Sequence, residues 1–496
     1  MSNSILSRNR WLFLALVGMA VFAGYGLIWK EPNTTVPVNI LAAYSMLAPA
    51  SNGGTIIYGR LIVDGYNVAC PSLKSETGSI IKTTARGRHP DAATGTNNFP
   101  VTVCETTLSA ETNYYDMSKA IKINAVSLQP SAILIYGDSG CKTKDCATGP
   151  ARYFEKLAEI GIKEKPELIL HMGDYNYRGT SGSITGTVFA YDAGDGGYGG
   201  ASCGLNETYY SQNATGSPRP DSWANWNQDF FVPARALLSS APWVFARGNH
   251  ELCSRAGPGW FYFFGPGSSL PGGIAQGACP NQGDFNTPPV TAVNHISMIP
   301  PYLLEFKHLR LWVMDSANAC DAGSANSLTS QYQTQFEQLQ ALPQNKTTWM
   351  MTHRPLWGIV NTSGQTSINT MLQTALVATK NKTLPTSVTL SLSGHMHLYQ
   401  SLTFTPASGR PSQLVVGNSG IELEKSDING DFQSVPVDGV AASGNGLSKF
   451  GLLSVKFNKN GTWHGAMLDE EGSAFVKCDS KNAGNGKTLC ELINGK

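Results

Sequence analysis

Five short polar motifs, each set directly after an apolar run, constrain this chain more than any other feature. Gly137-Asp138-Ser139-Gly140 follows Ala132-Ile-Leu-Ile-Tyr136, and Gly173-Asp174-Tyr175-Asn176-Tyr177 follows Glu167-Leu-Ile-Leu170. Gly248-Asn249-His250-Glu251 follows Trp243-Val-Phe-Ala246. Thr352-His353-Arg354-Pro355 follows residues 347–351, and Gly394-His395-Met396-His397 follows residues 387–392. Short continuous apolar runs are what strands buried on both faces look like. Loops at the carboxyl ends of α/β strands converge on one crevice, so clusters far apart in sequence can meet at one site.

Between the motifs, helical spacing predicts a helix over residues 151–160, stopped by Gly161, and another over 328–342 with Leu328, Tyr332, Phe336 and Leu339 on one stripe. A further strand is expected at 309–314. This alternation implies a layered α/β domain over residues 129–475. Upstream, residues 31–50 read as a linker. Residues 55–126 read as β-rich, either a small module or a β elaboration packed on the main domain. Residues 414–416 and 450–457 read as sheet without intervening helices, and 476–496 as a disulfide-closed tail. The Gly- and Ser-rich stretch 179–222 is long enough to expect a functional or mobile loop. Its Asp192 and Asp195 are calcium-ligand types, but a solvated loop is the expectation.

The balance of 36 basic and 35 acidic residues excludes a protein that coats nucleic acid, which needs an excess of Lys and Arg. Arg8 and Arg10 precede an uncharged apolar run at 11–29. This segment reads as a membrane anchor, or as a cleaved signal with Val21 and Ala23 before the cut; either places the rest of the chain outside the cytoplasm. Ten cysteines, an even count, agree with disulfides in an oxidising compartment. Local spacing suggests Cys70–Cys104, Cys141–Cys146 and Cys478–Cys490.

The motif residues are carboxylates, imidazoles and an amide, which suit first-row metal ions. His395 and His397 stand two apart, so an extended backbone turns both to one face. Each could then serve a different ion of a pair about 3.5–4 Å apart. Asp174 can bridge the two, and the glycines allow the backbone to approach closely. Singly, a Gly-Asp is a turn and a lone His is an ordinary packed or surface residue; the ordered conjunction carries the signal. His171 is expected beside the site. His89, His295, His308 and His464 lack ligand neighbours, and Asp315 is expected to be structural.

The order GDxG, GDxxY, GNHE, a His-bearing fourth motif and GHxH resembles the purple acid phosphatase branch of the calcineurin-like metallophosphoesterases, over roughly residues 130–470. Most of that superfamily opens with DxH. Here Asp138-Ser139-Gly140 lacks the His, and Tyr177, three residues after Asp174, supplies the replacement seen in the purple enzymes. The resemblance implies a β-sandwich flanked by helices. It also implies two metal ions: one held by Asp138, Asp174, Tyr177 and His397, the other by Asp174, Asn249, His353 and His395. The first ion would be ferric and the second iron, zinc or manganese. The implied reaction is hydrolysis of a small phosphate monoester by in-line attack of a metal-activated hydroxide. His250 would act as general acid for the leaving alkoxide or as a donor to the phosphate, with a structural His as the other reading, and Glu251 would orient it. Arg354 and Arg255 are candidate phosphate clamps, with an ordinary salt bridge as the other reading of each. A phosphodiesterase or nucleotide pyrophosphatase on the same core is the rival enzyme, and a non-catalytic metal-binding scaffold the rival of another class.

Overall fold

The computed structural model describes residues 38–493 apart from 52, 88, 92–96, 141–151, 179–220, 254, 268–278, 280–297, 323–325, 361–367, 425 and 481–486. The expected N-terminal anchor or signal, the Cys141–Cys146 pair, His295 and the Gly-rich stretch with Asp192 and Asp195 lie outside the described residues.

Two large sheets make a sandwich. In spatial order the first runs Leu489–Leu492, Ala474–Asp479, Trp463–Leu468, Leu452–Phe457, Ala132–Tyr136, Leu168–His171, Trp243–Phe245, Ile40–Pro49, Thr55–Asp64, Val101–Leu108 and Thr84–Ala85. The second runs Tyr302–Glu305, Arg310–Val313, Thr348–Met351, Val388–Ser393, Ser412–Val416, Tyr399–Phe404, Val440–Leu447 and Gly430–Val437. A small four-stranded sheet gathers Ile80–Ile81, Leu73–Ser75, Tyr114–Asp116 and Lys122–Ile123.

Period-two alternation explains how the layers stack. Trp349 and Met351 face the core shared by both sheets, together with Leu311, Val313, Leu390 and Leu392. Met350 and Trp312 turn the other way, onto the helices Asn326–Gln340 and Thr370–Ala378 through Leu328, Tyr332, Phe336, Met371 and Leu372. Each fully buried Leu of these layers contributes about 2 kcal/mol over an exposed one.

Three expectations change. Residues 31–50 are not all linker, because Ile40–Pro49 is a strand seated between Trp243–Phe245 and Thr55–Asp64. Its apolar run from Ile40 to Leu47 is buried along most of its length, as in an interior strand. Of the two readings of residues 55–126, the structure shows the elaboration: long strands here extend the main sheet. Gly161 does not stop its helix, which runs Tyr153–Lys163. A Cβ at Gly161 would collide with the Tyr136 hydroxyl, so this glycine serves the close packing of helix on strand.

Disulfides join Cys70 to Cys104 and Cys478 to Cys490, as spacing suggested, and also Cys253 to Cys279. Among the described residues no cysteine is free and no helix is long and apolar enough to cross a membrane. The disulfides suit an oxidising compartment.

Candidate metal centre

The motif-bearing strands are parallel within each sheet and end level with one another. His171 pairs with Tyr136 on one side and Phe245 on the other, and Met351 pairs with Val313 and Leu392. The loops that follow therefore leave both sheets at one edge of the sandwich. Asp138, Asp174 and His395 sit there with φ of 56°, 58° and 72°. This left-handed conformation costs a non-glycine residue about 1 kcal/mol or more, and such strain clusters at functional sites. Gly248 and Gly394 are required for a different reason: a Cβ would run into Asp174 Oδ1 at the first and Asp138 Oδ2 at the second.

Two groups of donors form around Asp174. In the first, the Tyr177 hydroxyl lies 2.8 Å from Asp138 Oδ1, 3.2 Å from Asp174 Oδ2 and 3.3 Å from His397 Nε2. In the second, His353 Nε2 lies 2.9 Å from Asn249 Oδ1 and 3.3 Å from Asp174 Oδ2. Donor atoms of Asp174, His353 and His395 lie within 4.8 Å of one another, as do those of Asp138, Asp174 and His397. Asp174 belongs to both.

This arrangement suits cations on chemical grounds. His353 Nδ1 donates to the Met172 carbonyl at 2.8 Å, so in the neutral ring Nε2 carries only a lone pair. That lone pair points at two oxygens, acceptors facing acceptors, and a metal ion satisfies all three. Asp138 and Asp174 are fully buried, and among the described residues their ion-pair partners are histidines, never Lys or Arg. Burial and the Asp174 charge push the Asp138 carboxyl well above its usual range. Burial opposes ionisation of Asp174 too, but His353 and His250 outweigh it and hold that carboxyl well below. The two carboxyls are thus driven in opposite directions, and added positive charge between them would offset the burial that opposes ionisation of both. Burial, with Asp138 and Asp174, also pushes the Tyr177 phenol well above its usual range.

The surroundings of three further residues bear on the expectations for them. Glu251 does not orient the His250 ring. Its two oxygens accept four backbone N–H groups, from Asp174 and Gly248 on one and Tyr175 and Asn176 on the other. It shapes the Asp174 loop, and burial with the Asp174 charge pushes it up to about 8. Arg354 is 2% exposed and its guanidinium is ion-paired with Asp321, so the salt-bridge reading holds in place of the phosphate clamp. Arg255 donates to His250 Nδ1 at 2.6 Å, turning its charge toward that imidazole. With Nδ1 accepting, the neutral His250 ring carries its proton on Nε2, which is 4.0 Å from Asp174 Oδ2.

His171 lies beside the site as expected, donating from Nε2 to Ser139 Oγ at 2.8 Å and stacking on Tyr175. Asp315 pairs with Arg247, a structural role. Two contributors were missed. Asp321 accepts from His395 Nε2 at 2.8 Å. Ser419, in the Gly417-Asn418-Ser419-Gly420 turn, exchanges hydrogen bonds with Gly137 and so braces the Asp138 loop. The apolar run Ser412–Val416 before that turn was a usable signal, since it repeats the strand-then-glycine pattern of the five motifs; Asp321 follows a disulfide-bonded cysteine and has no such signal.

Carboxylates converging with no Lys or Arg partner among the described residues, at the level ends of a layered sandwich, fit the class of metal-dependent phosphoesterases. More narrowly, the chain belongs to the calcineurin-like phosphoesterases, whose family model matches residues 131–399, over half of its length. Its fold is similar to that of purple acid phosphatase PPD1 from yellow lupin (Lupinus luteus) seeds, at 13% identity and a TM-score of 0.53, over 91% of this chain and 74% of that one. No curated protein matches the chain in sequence.

Proposed function

We propose that the chain is an exported phosphatase that hydrolyses small phosphate monoesters at a two-ion centre. One ion is held by Asp138, Asp174, Tyr177 and His397, the other by Asp174, Asn249, His353 and His395. The observation that carries this is the position of Asp174, shared by two donor groups, in the second of which the His353 lone pair faces two acceptor oxygens. Two ions in such a centre supply positive charge to the phosphoryl oxygens and acidify the attacking water.

The chain's own residues complete the chemistry. Glu251 and the His250 N–H, which donates to Asp174 Oδ1 at 2.9 Å, hold the shared carboxylate in place. His250 Nε2–H faces the centre and serves as donor to the phosphoryl group, or as acid for the leaving oxygen. Arg255 holds the tautomer that makes this possible and adds a positive charge suited to a dianionic ester. The phenol at Tyr177 favours iron as the first ion, because a buried phenol beside two carboxylates ionises only against a strongly charged cation. Iron, zinc or manganese is the proposed partner. Export rests on the N-terminal apolar segment and on the disulfides.

The test combines metal analysis, a visible spectrum and two substrates on aerobically purified protein. The expected result is iron in the protein, a tyrosinate–ferric band lost in Tyr177→Phe, and faster turnover of a monoaryl than of a bis-aryl phosphate. Full activity without iron rejects the ferric assignment. Preference for the bis-aryl ester rejects the monoester assignment.

A further inference from the structure

Asp321 lies outside every motif, yet it is 2% exposed and its carboxylate meets three side chains behind the second donor group. Oδ2 takes the Arg354 guanidinium and lies 2.8 Å from His395 Nε2, and Oδ1 accepts from Asn369 Nδ2 at 3.0 Å. The backbone there is held as well: Asp321 O accepts from Thr370 N at 2.9 Å, and the neighbouring Cys320 is disulfide-bonded. Arg354 Nη1 also lies 3.1 Å from His395 Nε2. The ring nitrogen could therefore accept from the guanidinium or donate to the carboxylate. The shorter contact decides, because an unprotonated nitrogen 2.8 Å from a carboxylate oxygen would set lone pair against lone pair. Nε2 carries the proton, and the lone pair of the ring is on Nδ1.

We infer that Asp321 is a positioning residue for the second metal ion: it fixes His395 in the Nε2–H tautomer, so that Nδ1 is the atom presented to the centre. The inference rests on the two-ion reading above. It gives Arg354 a task other than binding phosphate. The guanidinium cancels the charge of Asp321, so the carboxylate orients His395 without adding a further net negative charge to a centre that already buries two carboxylates. Such carboxylate–imidazole pairs orient metal ligands and raise their basicity. The arrangement is asymmetric. His353 is oriented by a neutral carbonyl, that of Met172, whereas His395 is oriented by a carboxylate.

The test is the affinity of each ion, measured by chelator competition and metal analysis on the full chain, for the wild type and Asp321→Asn. The amide keeps the size of the side chain but turns an N–H against Arg354 or Asn369. The expected result is two ions in the wild type. In the folded variant one ion is bound about 10- to 100-fold less tightly, with the other unchanged. A purely structural role would not separate the two ions. If Asp321→Asn fails to fold, Asp321→Glu keeps the ion pair with Arg354 while moving the carboxylate by one methylene, and the same selective loss is expected. A folded variant that holds both ions as tightly as the wild type overturns the inference and leaves the two-ion reading standing. A wild type that binds a single ion overturns both.

Discussion

Two places in this molecule bury several ionisable groups, and they do so in opposite ways. Under the N-terminal strands, Arg60 and Arg86 share Glu105. Arg60 Nε and Arg86 Nη1 donate to Glu105 Oε2 at 2.7 and 3.0 Å. Their remaining donors end on the carbonyls of Phe261, Phe263 and Gly265, where the helix Gly257–Phe263 terminates. Tyr44 donates to the Phe263 carbonyl at 2.6 Å. Cations at a helix C-terminus also meet the negative end of its dipole. Burial works against the Glu105 carboxylate, but Arg60 and Arg86 hold its carboxyl below the usual range. All three guanidinium nitrogens of Arg60 and both terminal nitrogens of Arg86 end on acceptors. At the metal centre, the His353 lone pair meets two acceptor oxygens and two carboxylates lack any Lys or Arg partner among the described residues. A buried cluster that closes on itself is architecture; one that closes only with an added cation is a site. The two are joined, since the helix pinned by the arginines begins two residues after Arg255, which holds His250.

The contrast breaks most visibly at His353. His353→Ala is expected to lower kcat/KM by about a thousandfold or more, because several kcal/mol of charge stabilisation depart with the ion. Chelation should lower the melting temperature of the wild type and scarcely move that of the variant, since only a bound ion stabilises the folded state. Near-normal activity in that variant would dissolve the distinction between the clusters.

Glu105→Gln should do the reverse. Leaving two buried guanidinium groups without their carboxylate is expected to cost about 3 kcal/mol of stability. Denaturant midpoints read this directly, while kcat per folded molecule should stay within about twofold. A variant of unchanged stability would show that the helix carbonyls alone suffice for the two arginines.

A third expectation sharpens the structural side. His89 is buried, its Nε2 within 3.2 Å of the Phe99 and Val101 carbonyls and its Nδ1 accepting from Asp91 N. Burial pushes its pKa down to about 4, against the two carbonyls that favour the charged ring. The folded state therefore binds its proton later than the unfolded chain as pH falls. Stability from the neutral ring is complete above about pH 6.5 and is lost progressively toward pH 4, by up to about 3 kcal/mol. Urea titrations across that window should show the slope, and His89→Gln should flatten it. Equal slopes in both proteins would place the acid sensitivity elsewhere.

Much of the centre was legible in the chain because its donors are local to strand ends. Asp138, Asp174, Asn249, His353 and His395 each follow a strand within a few residues, and a strand buried on both faces leaves a continuous apolar run. The paired substitution of Ser139-Gly140 for a histidine motif and of Tyr177 downstream is likewise written in one dimension. What the sequence could not supply is the identity of partners across the fold. Glu251 follows His250 but faces the Asp174 loop, because the short helical turn Asn249–Glu251 sends adjacent side chains in different directions. Arg354 sits inside a motif yet is committed to Asp321, 33 residues away. Ile40–Pro49 is apolar like many linkers' flanks, and only its two strand neighbours, one of them about two hundred residues downstream, make it part of the sheet. Donor types and strand order follow from local chemistry. Which acceptor each donor meets, and therefore which buried cluster is closed and which awaits a cation, depends on contacts between distant segments that only the packed tertiary structure decides.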